Sequence, residues 1–378
     1  MTNQIRVQRR TPAILGAILL GSLLVSFVPA ATSEAAGDPR VRLTTSYEKW
    51  NQLDLGLGEM TTTLGISLPT SRSSQLDMMS GHASASGDVP GTVSGLMDTR
   101  ARFSYMPGEH WAFRAGMSAP TGQTGHGDEE TAVVRLLSDR LRGYRGYRLG
   151  EGVGADLGSA CSFKLGGASL GLGAGYSFKG KYQVLADQEK VDPGDQFRFS
   201  VGVDVGNTAW LWRGDFVHAR YLADQRAGED VFQAGPRFDL RTSILHRGQK
   251  TNVGMSVQAV LAGKNKIGGP DELVAEPENS NSKEYYLQVN VSHMAGRRVT
   301  LQFFTGGRAF AENGFGTGKA SRGDLGVGGD VALGASTKLL MQARYSQASL
   351  TEASGTSGAD ETQSFGGLMG TLGLEVRL

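Results

Sequence analysis

Charged and apolar side chains alternate in several short segments of the sequence. In QFRFSVGVDV, residues 196–205, phenylalanine and valine occupy the odd-numbered positions, whereas Arg198 and Asp204 occupy even-numbered ones. Successive side chains of a β-strand point to opposite faces, so this segment has one apolar and one charged face. In a soluble protein the apolar face would pack on a core. In a membrane-spanning barrel it would face lipid, and the charged face would line a wet interior.

Under the barrel interpretation, a set of charged residues falls on the interior face. These candidate lumen-lining residues are Arg100, Arg102, Arg114, Asp156, Arg198, Asp204, Arg213, Asp215, Arg237, Asp239, Arg241, Asp324, Asp330 and Arg344. In one interpretation the opposite charges pair and stabilise the barrel wall. In the other, some of them form a polar constriction that filters solutes, as charged rings do in pores. The sequence leaves both interpretations open.

No constellation of residues predicts enzyme chemistry. The six histidines are scattered over predicted loops, turns and the lipid face, and HExxH and paired CxxC motifs are absent from the sequence. Cys161 is the single cysteine, so the sequence predicts no internal disulfide framework. A net charge of +1 argues against nucleic-acid binding. We therefore predict no catalytic residues, no metal site and no cofactor.

The N-terminus has the pattern of a secretory signal peptide, residues 1–36. Arg6, Arg9 and Arg10 precede an apolar run over residues 13–27, and small residues suitable for cleavage follow. No later stretch is long and apolar enough to predict a transmembrane helix. The pattern predicts export by the general export machinery.

Alternating segments recur along the mature chain, and the connections between them alternate in length. Short connections such as MPGEH, LGGAS and GNTA are separated by long ones, including residues 73–91 and about 118–149. Long loops at one end and short turns at the other are typical of a transmembrane antiparallel β-barrel. We predict an all-β barrel of about 14 strands over residues 58–378. Residues 37–57 are predicted to form an N-terminal plug or periplasmic segment.

One long loop contains a predicted helix, residues 128–143. Asp128 suits its N-cap and Gly143 its end. An apolar stripe along it consists of Val133, Leu136, Leu137 and Leu141. A helix in a loop must bury such a stripe, so it either folds over the barrel mouth as a lid or lines a capture site for an apolar solute.

Three stretches resemble a known family. They are GLGEMTTTLGISLPT (56–70), WAFRAGMSAPTGQTG (111–125) and GLGAGYSFKGKY (171–182). Together they resemble outer-membrane proteins of phenol and aromatic meta-cleavage pathways, which belong with the long-chain fatty acid and hydrocarbon transporters. The resemblance implies a barrel with an N-terminal hatch and passive uptake of hydrophobic molecules. The final residue, Leu378, departs from the aromatic residue that usually ends such barrels.

The sequence-based hypothesis is an outer-membrane channel or transporter for passive uptake of small hydrophobic solutes. A general diffusion porin for polar solutes is one alternative, favoured by the charged lumen. A structural or adhesive surface barrel is another. The partners expected are outer-membrane lipid, a small-molecule solute, and the general export and barrel-assembly machinery, with no nucleic acid.

Overall fold

The computed structural model describes residues 38–52, 55–88, 91–144, 150–268, 272–352 and 361–378. The predicted signal peptide, residues 1–36, lies outside the described residues. Within the described ranges, no helix is long and apolar enough to cross a membrane.

The described chain is mostly β-structure, with helix α1 at Asp128–Leu137. The strands are β1 Arg40–Gln52, β2 Leu55–Ser71, β3 Ser74–Gly87, β4 Thr92–Leu96, β5 Thr99–Tyr105, β6 Trp111–Ala119, β7 Gly154–Leu165, β8 Ala168–Lys179, β9 Val191–Asp192, β10 Gln196–Gly206, β11 Trp210–Tyr221, β12 Asp224–Arg226, β13 Glu229–Gln233, β14 Arg237–Arg247, β15 Thr251–Ala262, β16 Lys266–Gly268, β17 Leu273–Ala275, β18 Glu284–Met294, β19 Val299–Phe310, β20 Lys319–Ala332, β21 Thr337–Glu352 and β22 Glu361–Arg377.

Seventeen of these strands form one antiparallel sheet that closes on itself. The sheet closes because β1 pairs with β2 on one side and with β22 on the other. β4 and β5 pair with successive parts of β3 and so occupy one position in the wall. The result is a barrel 16 strands around. The predicted fold class is confirmed, and the count exceeds the predicted value of about 14 by two strands.

The first additional strand is β1. The prediction that residues 37–57 form a plug or periplasmic segment is wrong, because β1 is paired with both neighbours over nearly its whole length. Leu43 and Tyr47 are about half exposed on the barrel exterior, whereas Ser46 and Glu48 are buried on the interior face. The segment therefore has the two-faced pattern of a wall strand.

The second additional strand is β3, which lies within the predicted long loop of residues 73–91. Its interior face carries Ala83 and Ala85, both only 2% exposed. The alternation of β3 is weak in the sequence because its interior face carries small apolar side chains instead of charged ones. The first long loop is thus a two-residue turn followed by a strand.

Beyond β3, the connections separate by length as predicted. Short turns at 106–110, 166–167, 207–209, 248–250, 295–298 and 333–336 lie at one end, which we call the inner end. Connections at 120–153, 180–195, 222–236 and 263–283 lie at the opposite, outer end. The short strands β9, β12, β13, β16 and β17 form a separate five-stranded sheet within the outer connections.

The barrel exterior is apolar. Phe197 and Phe199 are 51% and 49% exposed, and Leu240 is 59% exposed. Arg198 lies on the opposite face of the same strand, as alternation requires. A closed barrel with an apolar outer surface satisfies its backbone internally and exposes that surface to lipid. The charged face of residues 196–205 is therefore the lumen.

Candidate functional site

The candidate site is the lumen of the barrel. Strand registers place every one of the predicted lumen-lining residues on its interior face. For example, Asp204 pairs across the sheet with Arg213, and Asp215 with Arg241. Their contact with a passing solute stays a prediction.

Several of these charges form ion pairs across neighbouring strands. Arg213 donates to Asp204 through Nε at 2.8 Å and Nη2 at 3.1 Å. Arg114 Nε donates to Asp156 Oδ2 at 3.2 Å. The four side chains are about one-fifth exposed, so each pair contributes about 1 kcal/mol or less to stability. This geometry matches the wall-stabilising interpretation for these four residues.

The charge is not evenly distributed around the lumen. The wall from β5 to β14 carries seven of the predicted arginines but four of the predicted aspartates. Arg100 and Arg102 are exposed although they lie on the interior face, which shows that the lumen beside β5 is open to solvent. The interior face there carries an excess of arginines, and its β5 end is accessible to water.

The opposite part of the lumen is occupied by the loop between β6 and β7. Its helix α1 has Gly127 at the N-cap instead of the predicted Asp128, and Glu130 Oε2 accepts the Gly127 N–H at 3.1 Å. Asp128, Glu129 and Glu130 lie in the first turn, where the helix dipole favours negative charge. The helix ends at Leu137, earlier than the predicted residue 143, so Leu141 belongs to the segment that follows.

The predicted apolar stripe packs inside the barrel. Val133, Leu137 and Leu141 are 0%, 3% and 5% exposed, and Leu136 packs against the same cluster. Their partners come from interior faces of the wall: Trp50, Leu57, Ala83, Ala85, Val93, Ala320, Ala348 and Phe365. Each fully buried valine or leucine contributes about 1.5–3 kcal/mol. The wall therefore covers the stripe in this structure. Its role as a lid or as a capture site for an apolar solute stays a prediction.

Polar contacts fix the segment after α1. Arg322 is 3% exposed, and its Nη1 donates to the carbonyl oxygens of Leu141, at 3.0 Å, and Arg142. Arg308 Nη1 donates to the carbonyl oxygen of Arg140 at 2.9 Å. Tyr144 donates its hydroxyl to the carbonyl oxygen of Leu57 at 2.7 Å. These wall contacts hold the loop across the outer part of the lumen.

Sequence analysis missed several residues of this site. Glu48 accepts hydrogen bonds from Arg344 Nη2 at 2.6 Å and from the Trp50 indole at 2.9 Å. Glu284 pairs with Arg140 of the inserted loop. The alternation of VRLTTSYEKW could have identified Glu48 and Trp50 as interior residues. Which wall residues contact the loop is a tertiary property that has no local signal.

Within the ranges that the structure describes, no group of three histidine, cysteine, aspartate or glutamate side chains is placed to hold a metal ion.

No family model and no curated protein matches the chain. Solved structures with a similar overall shape include outer-membrane channels for hydrophobic compounds, the kind of protein that the three sequence stretches resemble. One is the CymD monoaromatic hydrocarbon channel, at 9% identity and TM-score 0.46, covering 93% of this chain and 91% of that one. Others are a Pseudomonas aeruginosa FadL homologue (10%, 0.44, 92% of each chain) and the P. putida toluene transporter TodX (10%, 0.44, 93% and 92%).

Proposed function

We propose that the protein is a passive outer-membrane channel for small solutes. One observation carries the proposal: a closed barrel with an apolar exterior encloses a charged lumen, and the described part of the inserted loop packs against one side of that lumen. The path runs between the inserted loop and the charged wall from β5 to β14. We expect passage down the concentration gradient of the solute, which needs no energy source.

The chemistry of that wall favours polar solutes. Arg100, whose side chain is 48% exposed, and Arg102 present cationic groups to water. A solute that follows this wall exchanges hydrogen bonds with water for hydrogen bonds with side chains, as in other polar pores. The arginine excess favours anions over cations of similar size. A porin-like channel for polar solutes is therefore the candidate that the chemistry of this wall favours.

A second candidate, uptake of hydrophobic solutes, has its own supporting observation. The cluster around Trp50, Leu57 and Val93 is an apolar patch on the lumen wall, and α1 covers it. Displacement of α1 would expose this patch to an apolar solute. If this candidate holds, a brominated neutral aromatic compound should quench a larger share of the tryptophan emission in the wild type than in W50F, whose three remaining tryptophans lie on the barrel exterior.

The proposed function is tested with refolded full-length protein in planar bilayers and liposomes. We expect stepwise conductance in KCl and faster swelling of liposomes in solutions of a small neutral sugar. Reversal potentials in a KCl gradient should show preference for chloride over potassium. A barrel that inserts but passes neither ions nor sugar would overturn the proposal, and preference for potassium would contradict the role given to the arginines.

A further inference from the structure

An open groove crosses the lipid face of the barrel between β8 and β15. Residues that pair across adjacent strands form its central row: Leu170, Val203, Gly214, Thr242 and Val257. Trp212 bounds the groove toward the inner end, and Phe216 bounds it toward the outer end. Its volume is about 420 Å³, large enough for a stretch of hydrocarbon chain. We call it the lipid-face groove.

Gly214 forms the floor of the groove, and the Trp212 side chain is fixed beside it. The indole nitrogen of Trp212 donates to Thr242 Oγ1 at 2.9 Å. A Cβ atom added at Gly214 would lie 3.3 Å from Cη2 of this indole and 3.4 Å from Cγ1 of Val203. The ring therefore lies against the glycine and is oriented by its own hydrogen bond. A wall that is already ordered loses little conformational freedom when a chain packs on it.

The groove lies at the depth of the acyl chains of one leaflet. Trp210 begins β11 at the inner end, where an exposed tryptophan marks the boundary between membrane and water. Gly214 is four residues further along this strand, which is about 13 Å at roughly 3.3 Å per residue. With the strand tilt of roughly 40° that such barrels have, this distance is about 10 Å along the membrane normal. Acyl chains of a lipid anchored at the inner end therefore reach the groove.

The turns at this part of the inner end are basic. The connections β14–β15 and β18–β19 and the residues beside them carry four exposed basic side chains: Arg247, Lys250, Arg297 and Arg298. The sequence of residues 206–210, 247–251 and 294–299 contains neither aspartate nor glutamate. Arginine and lysine side chains at a membrane surface attract anionic headgroups. The charge at this end of the groove therefore complements a negatively charged phospholipid.

We propose that the lipid-face groove holds an acyl chain of an anionic phospholipid, whose headgroup lies against Arg247 and Lys250. The groove is part of the lipid-facing surface, so a lipid is the partner available to it. Hydrocarbon chains are as apolar as the groove, so packing against a fixed wall retains the chain, without a contribution from water exclusion. The basic turns add selection by headgroup charge. This site goes beyond the proposed function, because it does not involve the lumen.

The test is native mass spectrometry of the refolded protein, titrated with phospholipids in a mild detergent. We expect one molecule of dimyristoyl phosphatidylglycerol to bind saturably and to stay bound when further lipids have been stripped off. Dimyristoyl phosphatidylethanolamine has the same chains without a net charge and should bind more weakly. Dihexanoyl phosphatidylglycerol has the same headgroup, but its chains are too short to fill the groove, so it should also bind more weakly.

Gly214→Leu fills the groove, and Gly370→Leu is the matched control. Gly370 also lies on the lipid face, opposite the exposed Tyr47, and a Cβ atom added there would meet none of the described atoms within 4 Å. The dissociation constant of dimyristoyl phosphatidylglycerol should rise about tenfold in G214L, the weight of about ten lost carbon–carbon contacts. In G370L it should equal that of the wild type. The mobility shift between unheated and heated samples shows that each variant is folded.

Two milder variants keep the test open if G214L does not fold. Thr242→Val removes the acceptor of the Trp212 hydrogen bond without changing the size of the side chain, and it should weaken binding less than G214L does. Arg247→Gln combined with Lys250→Gln should remove the preference for phosphatidylglycerol over phosphatidylethanolamine.

The proposal is overturned by a wild type that retains no phospholipid, or by binding that is equal in the wild type, G214L and T242V. Equal weakening in G214L and G370L would also overturn it, because the groove would then differ in nothing from the rest of the lipid face. Equal affinity of the wild type for the two headgroups would refute the anionic class. None of these results bears on the KCl conductance, which tests the proposed function separately.

Discussion

At the residue scale, the outer five-stranded sheet contains a buried carboxyl group, Asp224. The residue is 5% exposed, and its Oδ1 accepts the Gly194 N–H at 2.7 Å. Burial raises the pKa of Asp224 above its ordinary value, and the Gly194 hydrogen bond opposes this shift. Between the ordinary and the raised pKa, the folded sheet holds a proton that the unfolded chain has released. Stability of the sheet therefore falls as pH rises through this window.

The substitution Asp224→Asn tests this linkage. The amide keeps an acceptor for the Gly194 N–H and has no charge to bury, so we expect the variant sheet to be more stable at neutral pH. Below the window the variant and the wild type should be equally stable. The measurement is the hydrogen-exchange protection of backbone amides in β9 and β12 as a function of pH, which compares the stability of the sheet in the variant and in the wild type. Asp187→Asn in an exposed loop is the control. A wild-type protection that rises with pH would contradict the argument.

At the element scale, helix α1 is held in the lumen by its apolar face. Leu137→Asp places a carboxylate in the cluster that contains Trp50 and Leu57, at a cost of about 3–5 kcal/mol relative to the leucine. We expect the helix to leave the lumen and the single-channel conductance to increase. Arg135→Gln, on the exposed face of the same helix, should leave the conductance unchanged. Equal conductance in L137D and the wild type would show that the loop does not restrict the pathway.

The strands show how far the sequence predicts the fold and where it fails. Strands such as β10 are predictable because a charged lumen face and an apolar lipid face give clear alternation. β3 was missed because α1 packs on its interior face, where Ala83 and Ala85 replace the charges expected there. The sequence of β1 also alternates, but residues 37–57 are predicted to form a plug or periplasmic segment because a fifteenth strand would make the number odd. Because two strands are missing from the prediction, the predicted and the observed strand numbers are both even, and an even number does not distinguish them.

The candidate site was predictable only in part, because local alternation gives the face of a side chain but not its tertiary contacts. Alternation within a strand places Arg198 or Asp204 on the interior face without further information. The cross-strand ion pairs, such as that of Arg213 with Asp204, and the contacts of Arg322 with the inserted loop depend on register between strands and on where the loop enters the lumen. Both are tertiary properties, fixed by pairing over separations such as the 180 residues between Arg142 and Arg322.

At the scale of the whole molecule, closure depends on β1. Its register runs from Arg40 opposite Arg377 to Asn51 opposite Gly366, so nearly the full height of the wall is sealed by this pairing. β2 and β22 both run from the outer to the inner end. Without β1 they would have to pair in parallel, against the antiparallel pattern of every other pair in the wall.

Deletion of residues 38–52 should therefore prevent formation of a closed barrel. Open edges at β2 and β22 would leave unpaired backbone groups in lipid, each costing several kcal/mol. We expect the refolded variant to lose the shift in electrophoretic mobility between unheated and heated samples that marks a folded barrel. Deletion of residues 266–275, which include the paired strands β16 and β17, removes β-structure from the outer sheet only and should leave that shift intact. A closed, conducting barrel without residues 38–52 would restore the assignment of this segment as a plug, since a plug is dispensable for closure and a wall strand is not.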